Sequence, residues 1–216
     1  MNFRIAVLVS GRGSNLEAVI KSIESGYLGS ARIVLVVSDN KSAKALDICR
    51  KHRIKGIYLD PGEFKTKLDG KAQDVYISKI KKAKPDLIVL AGFMRILKDK
   101  FIKSFPNRII NIHPSLLPKF PGLQTHKKAI EAGEQISGCT VHFVNEVTDG
   151  GKLIMQARVP IIPGDTEENL AERILEKEHK ILPLVIKMIA EKKITFESFS
   201  GGPLIYGEQG SEESYE

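Results

Sequence analysis

Short apolar runs alternate with amphipathic stretches along the first 113 residues of the chain. Residues 4–10 are rich in β-branched side chains and end at a glycine-rich turn, and residues 16–25 place apolar side chains at helical spacing behind a polar cap. Apolar strands separated by helices predict an α/β fold with a doubly wound, mostly parallel sheet. Further strands are predicted over residues 32–37, 56–59, 86–92 and 108–113, and further helices over residues 42–52 and 69–82.

The pattern changes after about residue 136. Residues 138–145 alternate apolar and polar positions, and residues 153–162 predict a returning strand. An Asp-Gly-Gly sequence at residues 149–151 favours a turn between them. This part of the chain is therefore expected to form a C-terminal antiparallel hairpin with a wide loop.

A long helix is predicted over residues 167–192, and Pro183 is expected to kink or split it. The segment that follows is rich in Gly, Ser and Glu, which predicts loose order. One domain is expected over residues 1–195, with a loosely ordered tail over residues 196–216.

Composition fits a folded protein and narrows the class of partners. The 216 residues are 42% hydrophobic and 27% charged, which is enough to bury a core. A net charge of +7 suits an anionic small molecule as well as nucleic acid, but aromatic residues are only 6% and Trp is absent, which disfavours a base-stacking surface.

Two cysteines, Cys49 and Cys139, form no disulfide framework, and the first apolar run is too short for a signal peptide or a membrane helix. A cytoplasmic protein is expected.

The turn at residues 10–15 (SGRGSN) joins the first predicted strand to the first predicted helix. A helix N-terminus offers backbone N–H groups to an anion, and the side chains of Ser14 and Asn15 add donors. One alternative is a tight strand-to-helix turn with a good cap. Another is a partial dinucleotide fingerprint, which lacks its third glycine because Leu16 stands there. The Ser-Asn pair favours a single phosphate monoester over a pyrophosphate.

A second candidate site follows the predicted strand that ends at His113. Open α/β sheets bind ligands beyond the carboxyl ends of their strands, and Asn111 and His113 share one face of this strand. An amide beside an imidazole suits acyl transfer, because one group stabilises an oxyanion and the other moves a proton. The alternatives are a histidine that only holds a loop, and, for Asp149, a residue that only forms a turn. Sequence spacing does not show whether Asp149 reaches His113.

Several other catalytic motifs are absent from the sequence. It contains no GxxxxGK[ST] phosphate loop, no GxSxG elbow and no HExxH helix, and its histidines lack metal-ligand spacing. No metal site is predicted.

Taken in order and at these spacings, the segments closely resemble the phosphoribosylglycinamide formyltransferases, folate-dependent enzymes of purine biosynthesis. The resemblance runs from residue 4 to about residue 192. It rests on SGRGSN at 10–15, LAGFMRIL at 90–97, NIHPSLLPKFPG at 111–122, the stretch from residue 138 to residue 154, and Glu178-His179.

The resemblance implies a single formyltransferase catalytic domain over residues 1–195. It implies transfer of a formyl group from 10-formyltetrahydrofolate to the amine of 5-phosphoribosylglycinamide, giving the N-formyl product and tetrahydrofolate in de novo purine synthesis. The folate is a co-substrate, and no tightly bound cofactor or metal is expected. The partners are small-molecule substrates rather than nucleic acid or membrane, and a homodimer is left open.

The resemblance also assigns roles to individual residues. The catalytic residues are Asn111, His113 and Asp149. The residues that bind the phosphate and the rest of the phosphorylated substrate are Gly13, Ser14, Asn15 and Glu178. The folate-binding residues, acting mainly through backbone groups, are Met94, Arg95, Ile96, Leu97 and Asn111, together with the basic side chain of Lys67, for which Lys71 is a rival. Gln124 stands where some relatives have His, so that position receives no role.

In the implied mechanism the amine attacks the formyl carbon, and Asn111 and a protonated His113 stabilise the oxyanion. Asp149 keeps His113 charged and oriented, and protons travel through His113 or through a water held by Asp149.

Three rival functions share part of this pattern: methionyl-tRNA formyltransferase, formyltetrahydrofolate deformylase and a non-enzymatic nucleotide-binding module. The first normally has a further C-terminal domain and the second an N-terminal regulatory domain, and neither is expected here. The third does not account for the Asn-His-Asp set.

Overall fold

In the computed structural model, which describes residues 2–199 and 201–207, strands and helices alternate along the chain. The strands in this range are β1 (Arg4–Val9), β2 (Arg32–Ser38), β3 (Gly56–Tyr58), β4 (Lys67–Leu68), β5 (Leu87–Leu90), β6 (Ile96–Leu97), β7 (Ile109–His113), β8 (Ile136–Phe143), β9 (Leu153–Pro160) and β10 (Leu204–Tyr206). The helices in the same range are α1 (Ser14–Glu24), α2 (Lys44–Lys51), α3 (Gly70–Ala83), α4 (Asp99–Ser104), α5 (Thr125–Glu131) and α6 (Glu167–Ala190).

The chain divides into two compact units, Met1–Asn111 and Ile112–Glu216. In the first unit, parallel strands are hydrogen-bonded in the order β7-β5-β1-β2-β3. All of β5, and β1 beyond its first residue, are buried, as expected for parallel strands that helices cover. Parallel pairing aligns the carboxyl ends of β1, β2 and β5, so the loops that follow these strands begin at one edge of the sheet.

The second unit contains the antiparallel part of the structure. Strands β8 and β9 pair as an antiparallel hairpin, and β10 pairs parallel to the far side of β9. Helix α6 packs against both strands of the hairpin. The strand β7 crosses the boundary between the units. The predicted α/β fold, with a mostly parallel sheet and a C-terminal antiparallel hairpin, is confirmed.

Helix α6 continues through Pro183, although this proline was expected to kink or split it. A proline inside a helix costs about 3 kcal/mol, because it removes a hydrogen bond and crowds the preceding turn. Several fully buried Leu, Ile and Val side chains flank Pro183, and each stabilises the helix by roughly 1.5–3 kcal/mol. Burial of the apolar face therefore outweighs the cost. The N-terminus is capped by Thr166, whose hydroxyl accepts a hydrogen bond from the Asn169 N–H.

The shortest elements were not predicted. Strands β4 and β6 have two residues each, and α4 and α5 have six and seven, which is too short for periodicity to show. Strand β10 lies within the segment predicted to be loosely ordered. Residues 200 and 208–216 of that segment lie outside the described residues. The single catalytic domain over residues 1–195 stays a prediction. Over the described ranges, no helix has the length and apolar character needed to cross a membrane.

Candidate active site

The turn between β1 and α1 requires glycine at position 13. Gly13 is the N-cap of α1 and has φ +82°, in the left-handed region. A Cβ atom there would lie 2.8 Å from the Cβ and 2.9 Å from the Cα of Ala45, so α2 leaves no room for a side chain. The first helical hydrogen bond runs from the Glu17 N–H to the Gly13 carbonyl at 2.9 Å. Helix α1 thus begins at Ser14, two residues earlier than the apolar pattern predicted, with Ser14 half-buried and Asn15 buried.

Ser10, the first residue of this turn, is bonded to the segment that follows β5. Its N–H donates to the Gly92 carbonyl at 3.1 Å, and its hydroxyl accepts a hydrogen bond from the Met94 N–H at 2.9 Å. Its carbonyl accepts a hydrogen bond from the Asn40 side chain at 3.3 Å. The loops after β1, β2 and β5 are therefore joined at one residue.

In the segment Met94–Leu97, two side chains are exposed to solvent and the other two point into the protein. Met94 and Ile96 are 58% and 42% exposed, whereas Leu97 is buried. The Arg95 side chain turns inward, where its Nε donates to Asp39 Oδ2 at 2.7 Å and its guanidinium also donates to the Phe64 carbonyl. The two exposed side chains therefore form the outer surface of the segment.

Lys67 lies beside this segment because β4 pairs with β6, which places Lys67 opposite Ile96. Its ammonium group donates to Asp69 Oδ2 at 2.9 Å and lies 4.1 Å from the centre of the Phe64 ring. The rival residue Lys71 is exposed in the first turn of α3. The strand register therefore favours Lys67 as the basic neighbour of Met94–Leu97.

In the second unit, Asp149 lies between two histidines. His113 Nδ1 is 3.5 Å from Asp149 Oδ2, and His142 Nε2 is 3.7 Å from Asp149 Oδ1. The Gly122 N–H donates to Asp149 Oδ2 at 2.8 Å. The side chains of His113, Asp149 and His142 are 6%, 11% and 2% exposed. Asp149 therefore reaches His113 in the structure, a contact that the spacing of the two residues in the sequence could not show.

Sequence reasoning missed His142, which was considered only as one of the histidines without metal-ligand spacing. The signal available was its position near the end of β8, just before the loop that carries Asp149. That loop returns closely because Gly151 lacks a side chain, since a Cβ there would lie 1.7 Å from the Phe143 carbonyl oxygen. The hairpin closure therefore brings Asp149 back to His142.

Burial and charge set the protonation states in this cluster. His113 Nε2 lies 3.0 Å from the Phe120 carbonyl oxygen, which can only accept, so Nε2 carries a proton and Nδ1 is the nitrogen that titrates. Burial lowers the pKa of His113 below its usual value, and this outweighs the Phe120 carbonyl and the Asp149 charge, which raise it. The neutral ring is therefore favoured at pH 7 in the protein without substrate, and the role of Asp149 in keeping His113 charged during the reaction stays a prediction.

Asp149 itself is ionised at neutral pH. Burial raises the pKa of its carboxyl. The interactions with His142 and His113 and the hydrogen bond from Gly122 together lower this pKa by more, so the net shift is downward. A buried carboxylate beside a neutral imidazole is arranged to stabilise a proton that arrives on the ring.

The loop that follows His113 is fixed by a buried polar network. The Thr140 hydroxyl donates to the Ser115 carbonyl at 2.6 Å and accepts a hydrogen bond from the Leu117 N–H at 3.1 Å. The Gln156 side chain donates to the Leu117 carbonyl at 2.8 Å and to the Thr140 hydroxyl at 3.0 Å. Such a satisfied buried network rigidifies the backbone that follows the imidazole.

The remaining predicted residues lie on separate elements. Asn111 is half-buried in β7, two residues before His113. Glu178 is buried in α6 at 6% exposure, and its charge adds to burial in raising the pKa of the Cys139 thiol on β8. Among residues 2–199 and 201–207, no group of three or more His, Cys, Asp or Glu side chains is arranged to hold a metal ion.

Residues 3–186 match the family described as formyl transferase. The chain belongs to this family. It is 43% identical over 191 residues to phosphoribosylglycinamide formyltransferase of Haemophilus influenzae, covering 88% of this chain and 89% of that protein. Among solved structures, glycinamide ribonucleotide transformylase 1 from Symbiobacterium toebii matches with a TM-score of 0.86 and 38% identity, over 93% of this chain and 92% of that one.

A longer relative matches in one part only. The chain is 46% identical over 189 residues to the trifunctional purine biosynthetic protein adenosine-3 of Drosophila pseudoobscura, but it spans 14% of that protein's length. Family membership confirms the predicted enzyme class, a formyltransferase, and the α/β formyltransferase fold.

Replacing Gly13 with Ala is expected to destabilise the protein by about 3 kcal/mol, because the left-handed φ and the contact with Ala45 both oppose a Cβ. The matched control is Gly11→Ala, since a Cβ at Gly11 meets no atom within 4 Å. Denaturant unfolding of both variants measures the difference. Equal unfolding midpoints for the two variants would show that α2 shifts to make room for the added methyl group.

Replacing Asp149 with Asn is expected to lower the pKa of His113 further, because it removes a charge that raises this pKa. Asn also tolerates the left-handed φ of +52° at this position, so the loop should persist. An NMR titration of His113 in both proteins is the measurement, and an unmoved pKa would leave Asp149 as a turn residue only.

Proposed function

We propose that this chain transfers the formyl group of 10-formyltetrahydrofolate to the primary amine of 5-phosphoribosylglycinamide, in de novo purine synthesis. The products are the N-formyl compound and tetrahydrofolate, and the folate is a co-substrate rather than a bound cofactor. The observation that carries this proposal is the buried His113–Asp149–His142 cluster in a chain of the formyl transferase family. An imidazole with an ionised carboxylate behind it is a proton-transfer group, which acyl transfer to an amine requires.

The proposed mechanism uses His113 as the proton acceptor. The amine nitrogen attacks the formyl carbon, and the side-chain amide of Asn111 donates a hydrogen bond to the oxygen that becomes negative. Because His113 is neutral, it accepts the proton that the amine loses, and Asp149 stabilises the imidazolium so formed. The bond from the formyl carbon to the folate nitrogen then breaks, and that nitrogen receives a proton from His113 or from a water held by Asp149.

Three further sets of residues bind the substrates in this proposal. Gly13, Ser14 and Asn15 hold the phosphate at the N-terminus of α1, where backbone N–H groups and the helix dipole favour an anion. Glu178 binds the ribosyl-glycinamide part through its carboxylate. The segment Met94–Leu97, with Lys67 and Asn111, binds the folate.

The location and assembly are proposals as well. We place the enzyme in the cytoplasm, acting on small molecules rather than on nucleic acid or membrane. A homodimer stays a prediction, and sedimentation equilibrium of the purified chain measures it.

The function is tested by a formyl-transfer assay with phosphoribosylglycinamide, run beside a reaction without acceptor. We expect tetrahydrofolate to form only when the acceptor is present. Release of formate without acceptor would indicate a deformylase, and no reaction in either case would contradict the proposal.

Replacing His113 or Asn111 with Ala is expected to lower turnover by about 10²–10³ fold or more, because each removes a group that acts at the reacting atoms. The control is His52→Ala, a largely buried histidine that pairs with Glu24 in the first unit and has no role in the proposed site. Steady-state rates of the folded variants are compared. A near-normal rate in either variant would remove that residue from the catalytic role.

Replacing Ser14 and Asn15 together with Ala is expected to weaken binding of phosphoribosylglycinamide and to leave folate binding largely intact. The double variant loses side-chain donors to the phosphate but keeps the backbone N–H groups. Calorimetric titration of each substrate separates the two effects. Equal losses for both ligands would argue against a dedicated phosphate site.

A further inference from the structure

We propose that Asp39 is a positioning residue of the folate site, which holds the Arg95 guanidinium and thereby fixes the shape of Met94–Leu97. The inference rests on the proposed function, because it takes that segment to be the folate-binding surface. Asp39 itself is not proposed to touch the folate.

The first observation is a largely buried ion pair between loops distant in sequence. Asp39 follows β2, Arg95 follows β5, and Arg95 Nε donates to Asp39 Oδ2 at 2.7 Å. The two side chains are only 6% and 15% exposed. Solvent screens such a pair much less than a surface pair, and removing one partner leaves the other charge without compensation.

The second observation is that the same guanidinium donates to the Phe64 carbonyl. Arg95 therefore joins three chain segments, namely the loop after β2, the loop before β4 and its own. With its donors turned inward, the Arg95 side chain is part of the support of the segment. Its neighbours Met94 and Ile96 are exposed and form the surface.

The third observation is that hydrogen bonds hold the backbone on both sides of Asp39, and that its carboxylate has one main partner, Arg95. Its neighbours Ser38 and Asn40 are bonded to each other, since the Ser38 hydroxyl donates to the Asn40 carbonyl at 3.0 Å and accepts from the Asn40 N–H at 3.1 Å. The second carboxylate oxygen, Oδ1, is buried and makes no hydrogen bond within the described part of the chain. The Tyr76 hydroxyl donates its hydrogen bond to the Leu59 carbonyl at 2.6 Å rather than to Asp39. Arg95 is thus the group that Asp39 orders.

The test is Asp39→Asn, which keeps the shape of the side chain but removes its charge. We expect the KM for 10-formyltetrahydrofolate to rise about tenfold, within the range found for residues that act through a neighbour, while the KM for phosphoribosylglycinamide changes less than about twofold. The matched control is Asp47→Asn, whose carboxylate pairs with Arg50 on the exposed face of α2. The control should leave both KM values unchanged.

A double-mutant cycle with Arg95→Met tests whether Asp39 acts through Arg95. The double variant has no unpaired charge, so it keeps the inference testable if Asp39→Asn alone fails to fold. We expect the folate KM to rise in the double variant, and the Asp39 substitution to add little once Arg95 is replaced. Full additivity of the two effects would overturn the inference, and so would a normal folate KM in the double variant.

The outcomes also separate this inference from the function on which it rests. If the unaltered protein transfers no formyl group, the proposed function fails. If it does transfer the group, but Asp39→Asn behaves like Asp47→Asn, only the role of Asp39 fails. Equal rises in both KM values would also contradict it, because they indicate a general loss of structure rather than a change at the folate segment.

Discussion

The parallel pairing of β1 with β2 and β5 is the constraint on which the first unit depends. Because these strands run in the same direction, the loops that follow them begin at one edge of the sheet. Ser10, Asp39 and Met94 stand at or near those loop starts, and hydrogen bonds then join the loops to one another. The glycine-rich turn and the segment Met94–Leu97 are therefore joined by hydrogen bonds along one edge of the sheet.

A different constraint governs the second unit, where a carboxylate must be held ionised inside the protein. Asp149 is mostly buried, and burial alone would favour its neutral form. Two imidazoles and a backbone N–H face it and reverse that tendency. The same burial keeps His113 neutral, so the pair is ready to receive a proton rather than to give one.

In both units, buried polar side chains hold the backbone beside the residues of the candidate site. In the first unit, Arg95 is turned inward while its neighbours are exposed. In the second unit, Thr140 and Gln156 fix the loop after His113 without belonging to the cluster. Groups that must hold a fixed geometry gain precision when buried hydrogen bonds support them.

From the sequence alone, the fold class, the longer elements and the family could be predicted. Hydrophobic periodicity is a local property, so it located β1, α1 and the C-terminal hairpin, and strand alternation placed Asn111 and His113 on one face. The strand-to-helix turn at residues 10–15 was also predicted, whereas the need for glycine at position 13 comes from its left-handed φ and its close approach to Ala45. The two-residue strands β4 and β6 and the short helices α4 and α5 were missed, because so few positions show no period.

Which distant side chains meet, and which protonation states they favour, depends on the folded structure. The contacts of Asp149 with His113 and of Arg95 with Asp39, and the pairing of Lys67 with Ile96, depend on loop paths and strand register, which sequence spacing does not show. The protonation of His113 depends on a balance between burial and a nearby charge. The sequence showed the charge, but it could not show the burial, and burial has the larger effect.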